Sequence, residues 1–192
     1  MGVTNQSPEF LVKFPLGKVP AFEGADATLL FESDAIAQYV AESGPFRDTL
    51  LGKDAREKAT IRQWISFSDH EIMEPVTQLV MWRVRMVPFD AYVEEKAMAI
   101  LRRGLGCLER YLAGRREGEW LATTTTTAGG GEPSLADFTL AGACYWGFML
   151  VIDAKMRDEF PGVTRLYRRI IAREEVKSVF QEATFIEKRN DH

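Results

Sequence analysis

Apolar residues follow two different rhythms along this chain. Up to about residue 31 they come in short runs broken by Pro and Gly, and from residue 54 onward they return every three or four positions. In the first stretch, Ser7-Pro8-Glu9 reads as a helix start, with Ser at the N-cap, Pro at the first helical position and an acid in the first turn. That helix stops before Pro15. Lys18–Phe22 and Thr28–Phe31 read as two strands, and the turn-forming segment Glu23-Gly24-Ala25-Asp26-Ala27 joins them as a hairpin. Ser33 then caps a helix that carries Ile36, Ala37, Tyr39, Val40 and Ala41 on one face.

Residues 44–53 break the rhythm with Gly, Pro and charge. They are assigned as a linker between a domain over 1–43 and an all-helical domain over 54–192. Asp54-Ala55-Arg56-Glu57 has the form of a capping box. The apolar positions from Ile61 to Val84 predict one long helix, kinked at Pro75 and ended by Pro88. A second long helix spans Asp90 to Leu112, with Ala97, Ile100, Leu101, Leu105, Leu108 and Leu112 as its stripe. The low-complexity run from Thr123 to Gly131 predicts a mobile loop. Further helices are expected from Ser134 to about Val151, from Val163 to Ala172 after Pro161-Gly162, and from about Glu174 to Ala183.

Composition changes this picture little. The 192 residues are 46% hydrophobic and 27% charged, enough to bury a core. Net charge is -4, from 24 basic and 28 acidic residues without a basic block, so no nucleic-acid footprint is visible. No run of 18 apolar residues predicts a membrane span. The first residues have neither the charged nor the apolar region of a secretory signal, and a cytoplasmic protein is expected. Cys107 and Cys144 each fall inside an apolar helical pattern and read as buried free thiols in a reducing compartment. His70 and His192 are the only histidines, so no Cys/His metal site is expected. Met81, Trp82, Met86, Trp146, Phe148 and Met149 read as core rather than as the lining of a pocket for apolar electrophiles. Arg165, Arg168 and Arg169 read as a solvated helix face, and Arg83 and Arg85 are left without a role.

Four segments in order carry a resemblance: Phe14–Gly24, Leu30–Val40, Gln63–Asp69 and Ser134–Ala141. Together they resemble the cytosolic glutathione transferases, with the transferase-like domain of eukaryotic translation elongation factor 1 gamma as the nearest likeness. The resemblance implies an α/β plus all-α fold, in which a partial thioredoxin-like domain precedes a helical bundle of the transferase type. It implies glutathione as co-substrate, no metal, and a homodimer. Elongation factor subunits are implied as partners if the chain is a scaffold.

The resemblance also implies a site. In the family the bond before Pro20 is cis, which presents the backbone polar groups of Val19 for pairing with an extended peptide. Ser33 and the first-turn N–H groups after it attract the γ-glutamyl α-carboxylate. Glu32 receives the neighbouring ammonium, and Lys18 faces the glycyl carboxylate. Ser134 and Asp137 form a reciprocal capping box, which makes Asp137 structural rather than a catalytic acid. The family begins with a strand, a helix and a second strand that carry the Tyr, Ser or Cys stabilising the thiolate. Only six residues precede Ser7, and none matches. No catalytic residue is therefore assigned, the second domain of the elongation factor is not expected, and an open edge is expected along Lys18–Phe22. The two candidate functions are a glutathione-binding protein that conjugates the tripeptide to electrophiles if a catalytic residue exists upstream, and a non-catalytic scaffold.

Overall fold

The Ser7 hydroxyl accepts a hydrogen bond from the Phe10 N–H at 3.3 Å, and Pro8 takes the first helical position. Helix α1 accordingly runs Pro8–Lys13 and ends ahead of Pro15. A computed structural model gives this structure and describes residues 2–116, 118–122, 131–180 and 185–190. The chain divides into two units, Met1–Leu51 and Gly52–His192.

In the first unit β1 (Ala21–Glu23) pairs antiparallel with β2 (Leu29–Phe31), with Phe22 opposite Leu30. Strand β1 starts three residues later than expected, because Pro20 has no N–H to give to a ladder. The turn closes through Gly24 N–H to Thr28 C=O at 2.8 Å, and the Asp26 carboxylate accepts from Thr28 N–H at 3.1 Å. Those bonds hold the Asp26 carboxyl below its ordinary value. Thr4–Gln6 form a 3-10 turn, not an added strand, and the side-chain amides of Asn5 and Gln6 donate to Gly17 C=O at 2.6 and 2.9 Å. Gly17 is required there: its φ is +58, and a Cβ would lie 2.6 Å from Gln6 Nε2. Helix α2 (Ser33–Ser43) meets the hairpin through Tyr39, whose ring centroid is 5.6 Å from that of Phe22. Helix α3 (Arg47–Leu51) falls inside the stretch read as a linker.

The second unit is helical. The Asp54 carboxylate caps α4 (Ala55–Phe67) by accepting from Glu57 N–H at 2.9 Å. The Glu57 carboxylate reaches Lys53 N–H, one residue further out than a reciprocal box requires. The single helix expected to follow is instead three pieces: α4, a π-helical turn at Ser68–Met73, and α5 (Glu74–Arg83). Pro75 has no N–H for the ladder, and the widened turn sits just before it. Glycine at 104 fits this geometry, since a Cβ there would lie 2.7 Å from the Glu71 carbonyl oxygen.

Helix α5 stops at Arg83 and not at Pro88. Arg85 adopts φ 62, and the N–H groups of Arg85 and Met86 return to the carbonyls of Trp82 and Met81, both at 2.9 Å. This is a left-handed C-terminal cap built without glycine. Arg83 becomes a structural residue. It donates to both Glu94 oxygens, at 2.7 and 3.0 Å, while Trp82 Nε1 donates to the same carboxylate at 2.8 Å.

Burial raises the Glu94 carboxyl, but the hydrogen bonds from Arg83 and Trp82 and the Arg83 charge outweigh it and leave it below its ordinary value. The stabilisation is therefore complete above the unfolded carboxyl pKa and is lost as pH falls through the lower folded one. Glu94→Gln is expected to unfold more easily by about 2 kcal/mol at neutral pH, less than a fully buried pair because the carboxylate is partly exposed. Denaturant titrations should show its deficit against wild type shrinking below about pH 4. A deficit unchanged across that range would remove the ion pair from the account.

Asp90 caps α6 (Ala91–Ala113) by accepting from the N–H groups of Tyr92 and Val93. The helix buries Ala97, Leu101, Gly104, Leu105 and Leu108, with Ile100 and Leu112 at the border. Cys107 is exposed, against expectation, because it lies one position outside that stripe. Cys144 is buried in α7 (Leu135–Leu150), and burial pushes its thiol up to about 12. An unforeseen α8 (Ala154–Glu159) follows, capped by Asp153. Then come α9 (Pro161–Ile171) and a short α10 (Lys177–Phe180), while residues 181–183 of the expected last helix lie outside the described residues. The low-complexity positions 123–130 lie outside them too.

Helix α9 has no side-chain cap of its own. Glu109 of α6 supplies one, accepting from Gly162 and Val163 N–H at 2.9 and 3.0 Å. The expected solvated arginine face holds for Arg165 and Arg168, which are exposed, Arg168 lying 4.8 Å from the Phe185 ring, but not for Arg169, which is half-buried and stacks on Trp120 at 3.4 Å. Phe148 is core, stacked on Tyr167 with centroids 4.3 Å apart, whereas Trp146 and Met86 are exposed and Met81, Trp82 and Met149 are half-buried. The reading of all six as core thus holds for Phe148 but fails for Trp146 and Met86.

Candidate functional site

The connection from α1 to β1 and the junction from β2 to α2 meet in one cleft of the first unit. Its volume is about 220 Å³. Lys18, Val19, Pro20, Glu32 and Ser33, all picked out from the sequence, line it together. Phe14, Leu16 and Phe31 add an apolar part that was not foreseen as lining. The only signal for Phe31 is strand alternation, which placed it next to Glu32 without fixing its face.

Three features give the cleft its chemistry. The Val19–Pro20 peptide is cis. Among the described residues neither the N–H nor the C=O of Val19 takes part in a hydrogen bond, so a backbone donor and acceptor remain for a ligand. The residue that bounds α2 is Glu32, not Ser33 as expected. The Glu32 carbonyl accepts the Ile36 N–H at 3.1 Å, and Ser33 is the first helical residue. No side chain caps this helix, so its first-turn N–H groups keep their capacity to bind an anion. Glu32 itself stands at φ 71 and ψ 122, a left-handed conformation that costs a non-glycine residue about 1–3 kcal/mol. Such positions persist where the surroundings enforce them, and they cluster at ligand sites.

Ser134 and Asp137, also singled out from the sequence, lie in the second unit and form the expected box. Ser134 N–H and Oγ–H donate to Asp137 Oδ2 at 2.8 and 2.9 Å, and Leu121 N–H donates to Oδ1 at 2.9 Å. Both residues are fully buried. Burial pushes the Asp137 carboxyl up, while its three donors and the Arg169 charge pull the other way. All of its partners belong to the chain, which fits a structural role.

No three His, Cys, Asp or Glu side chains gather as a metal site among the described residues. No helix of the described residues is long and apolar enough to cross a membrane.

Two family models match the chain. The N-terminal domain of glutathione S-transferase covers residues 2–42, and the C-terminal domain of glutathione S-transferase covers residues 72–174. Among full-length relatives, the Glutathione S-transferase-like protein LUC7 of Fusarium sp is 50% identical over 190 residues, spanning 99% of this chain and 82% of the relative. Elongation factor 1-gamma-A of Xenopus laevis is 36% identical over 187 residues, which span 97% of this chain and 39% of that longer protein. In fold, the GST-like domain of elongation factor 1-gamma from Saccharomyces cerevisiae superposes with a TM-score of 0.82 at 23% identity, covering 95% of this chain and 81% of that one. With a thioredoxin-like N-terminal part and a helical C-terminal domain, the chain belongs to the glutathione S-transferase family.

Proposed function

We propose that the chain binds glutathione in the cleft of its first unit. The observation that carries this reading is the convergence of an unpaired backbone at Val19 with an uncapped helix start at Ser33 beside the Glu32 carboxylate. The cysteinyl backbone of the tripeptide pairs with Val19 as an added strand. The γ-glutamyl α-carboxylate meets the first-turn N–H groups of α2 and the Ser33 hydroxyl, and the α-ammonium meets Glu32. Lys18 takes the glycyl carboxylate. Family membership supports the choice of ligand.

The reading divides at chemistry. In the first version the bound thiol is transferred to an electrophile, which requires a donor or cation that holds it as thiolate. In the second version the cleft belongs to a non-catalytic scaffold in the cytoplasm that contacts translation elongation factor subunits, and the likeness to the Xenopus laevis elongation factor favours it. A homodimer is part of both. Saturable turnover of a chlorodinitrobenzene-type substrate belongs to the first version alone.

The γ-glutamyl end carries most of the proposed contacts, so its removal tests the site. Cysteinylglycine, which lacks that group, is expected to bind at least about 100-fold more weakly than glutathione in a competition titration, since two charge-assisted contacts are absent. Equal affinity for the two peptides would place the binding elsewhere.

A further inference from the structure

The second unit holds a larger cavity, about 660 Å³, that the glutathione reading does not use. It lies between the end of α6, the segment that follows it and the outer face of α9. Among the described residues four arginines line it, Arg115, Arg116, Arg165 and Arg169, against one carboxylate, Glu119. Two of the four are committed to the protein. Arg115 donates to the Tyr111 hydroxyl at 2.9 Å and lies 3.4 Å from Glu119, and Arg169 stacks on Trp120 while donating to the Glu119 carbonyl at 3.3 Å. The side chains of Arg116 and Arg165 have no hydrogen bond or ion pair among the described residues. Leu112 and Leu166 give the same cavity an apolar wall.

An excess of guanidinium over carboxylate in a concave site calls for an anion, and two unengaged planar forks match an anion that offers several oxygens and more than one charge. Phosphate fits that description better than a single carboxylate. The apolar wall and the volume suit an organic group attached to it, because sites of this size bind small molecules by an apolar body and a few convergent polar groups. We propose that this cavity binds a phosphate ester of a small organic molecule, with Arg116 and Arg165 holding the phosphate and Leu112 and Leu166 facing the organic group. The site lies wholly in the second unit, and it stands or falls independently of glutathione binding.

Calorimetric titration of the whole protein with phenyl phosphate tests this, alongside inorganic phosphate and benzoate. Phenyl phosphate is expected to saturate and to bind more tightly than either control. Arg116→Gln and Arg165→Gln are each expected to weaken it about tenfold, as loss of one charge-assisted contact implies. Arg168→Gln, which removes the same charge from the same helix beside Phe185 and outside the cavity, should leave it unchanged. Matching thermal unfolding of the variants and wild type would show that the losses are local. Failure of phenyl phosphate to saturate, equal binding of benzoate or inorganic phosphate, or equal weakening by Arg168→Gln would each overturn the proposal.

Discussion

Asp137→Ala is expected to destabilise the protein by about 3–5 kcal/mol, the largest effect of any single substitution considered. The reason is the count of donors that the carboxylate answers. Ser134 N–H and Oγ–H and Leu121 N–H all point at it within 2.9 Å, in surroundings with no solvent exposure. Truncation to Ala leaves these donors buried without an acceptor, and each such group costs about 1–3 kcal/mol. It also frees the start of α7, the helix that buries Leu140, Cys144 and Phe148, and the segment around Leu121 that lies against it. Asp137→Asn, which keeps one oxygen acceptor, is expected to cost less than half as much. Denaturant unfolding of the two variants checks this. A loss below about 1 kcal/mol for Ala would mean that the box is an ordinary exposed-type cap.

The second large effect concerns the cleft. Glu32→Gln combined with Ser33→Ala is expected to weaken glutathione binding by at least about 100-fold, because one charge-assisted contact and one hydroxyl donor are removed together. Stability should change little. Neither side chain caps α2, and the left-handed backbone at position 32 is as demanding for Gln as for Glu. Loss of affinity without loss of stability separates ligation from a merely structural role. Should the double variant bind as tightly as wild type, the helix start is not the γ-glutamyl site.

The parts of the fold that were legible in the sequence are those fixed by local chemistry. Ser7-Pro8, Asp54, Asp90 and Ser134 each announce a helix, and each does cap one. The hairpin followed from Gly24 and Asp26, whose turn bonds close it. What was not legible depends on partners distant in sequence or on conformations that the residue type does not advertise. Arg85 ends α5 at a positive φ where glycine is the usual marker, so the helix read four residues too long. The π turn before Pro75 packs against Gly104, some thirty residues away, and only that contact shows where the helix widens. Arg169 looked solvated because its partner Trp120 lies in a different segment.

The cleft shows the same division. Its polar members stood out through the family resemblance carried by Phe14–Gly24 and Leu30–Val40, which contain the Val19–Pro20 pair and the strand-to-helix turn at Glu32-Ser33. Its apolar members Phe14, Leu16 and Phe31 did not, because an apolar residue beside a strand reads as core. The boundary residue of α2 was misplaced by one position. Ser is a common N-cap, and nothing about a glutamate signals that it will hold φ 71.

Calorimetric titration of reduced glutathione into the wild-type protein bears most directly on the cleft as a glutathione receptor. Saturable heat with one tripeptide bound per chain is the predicted result. A titration indistinguishable from buffer dilution, carried well past millimolar ligand, would contradict it.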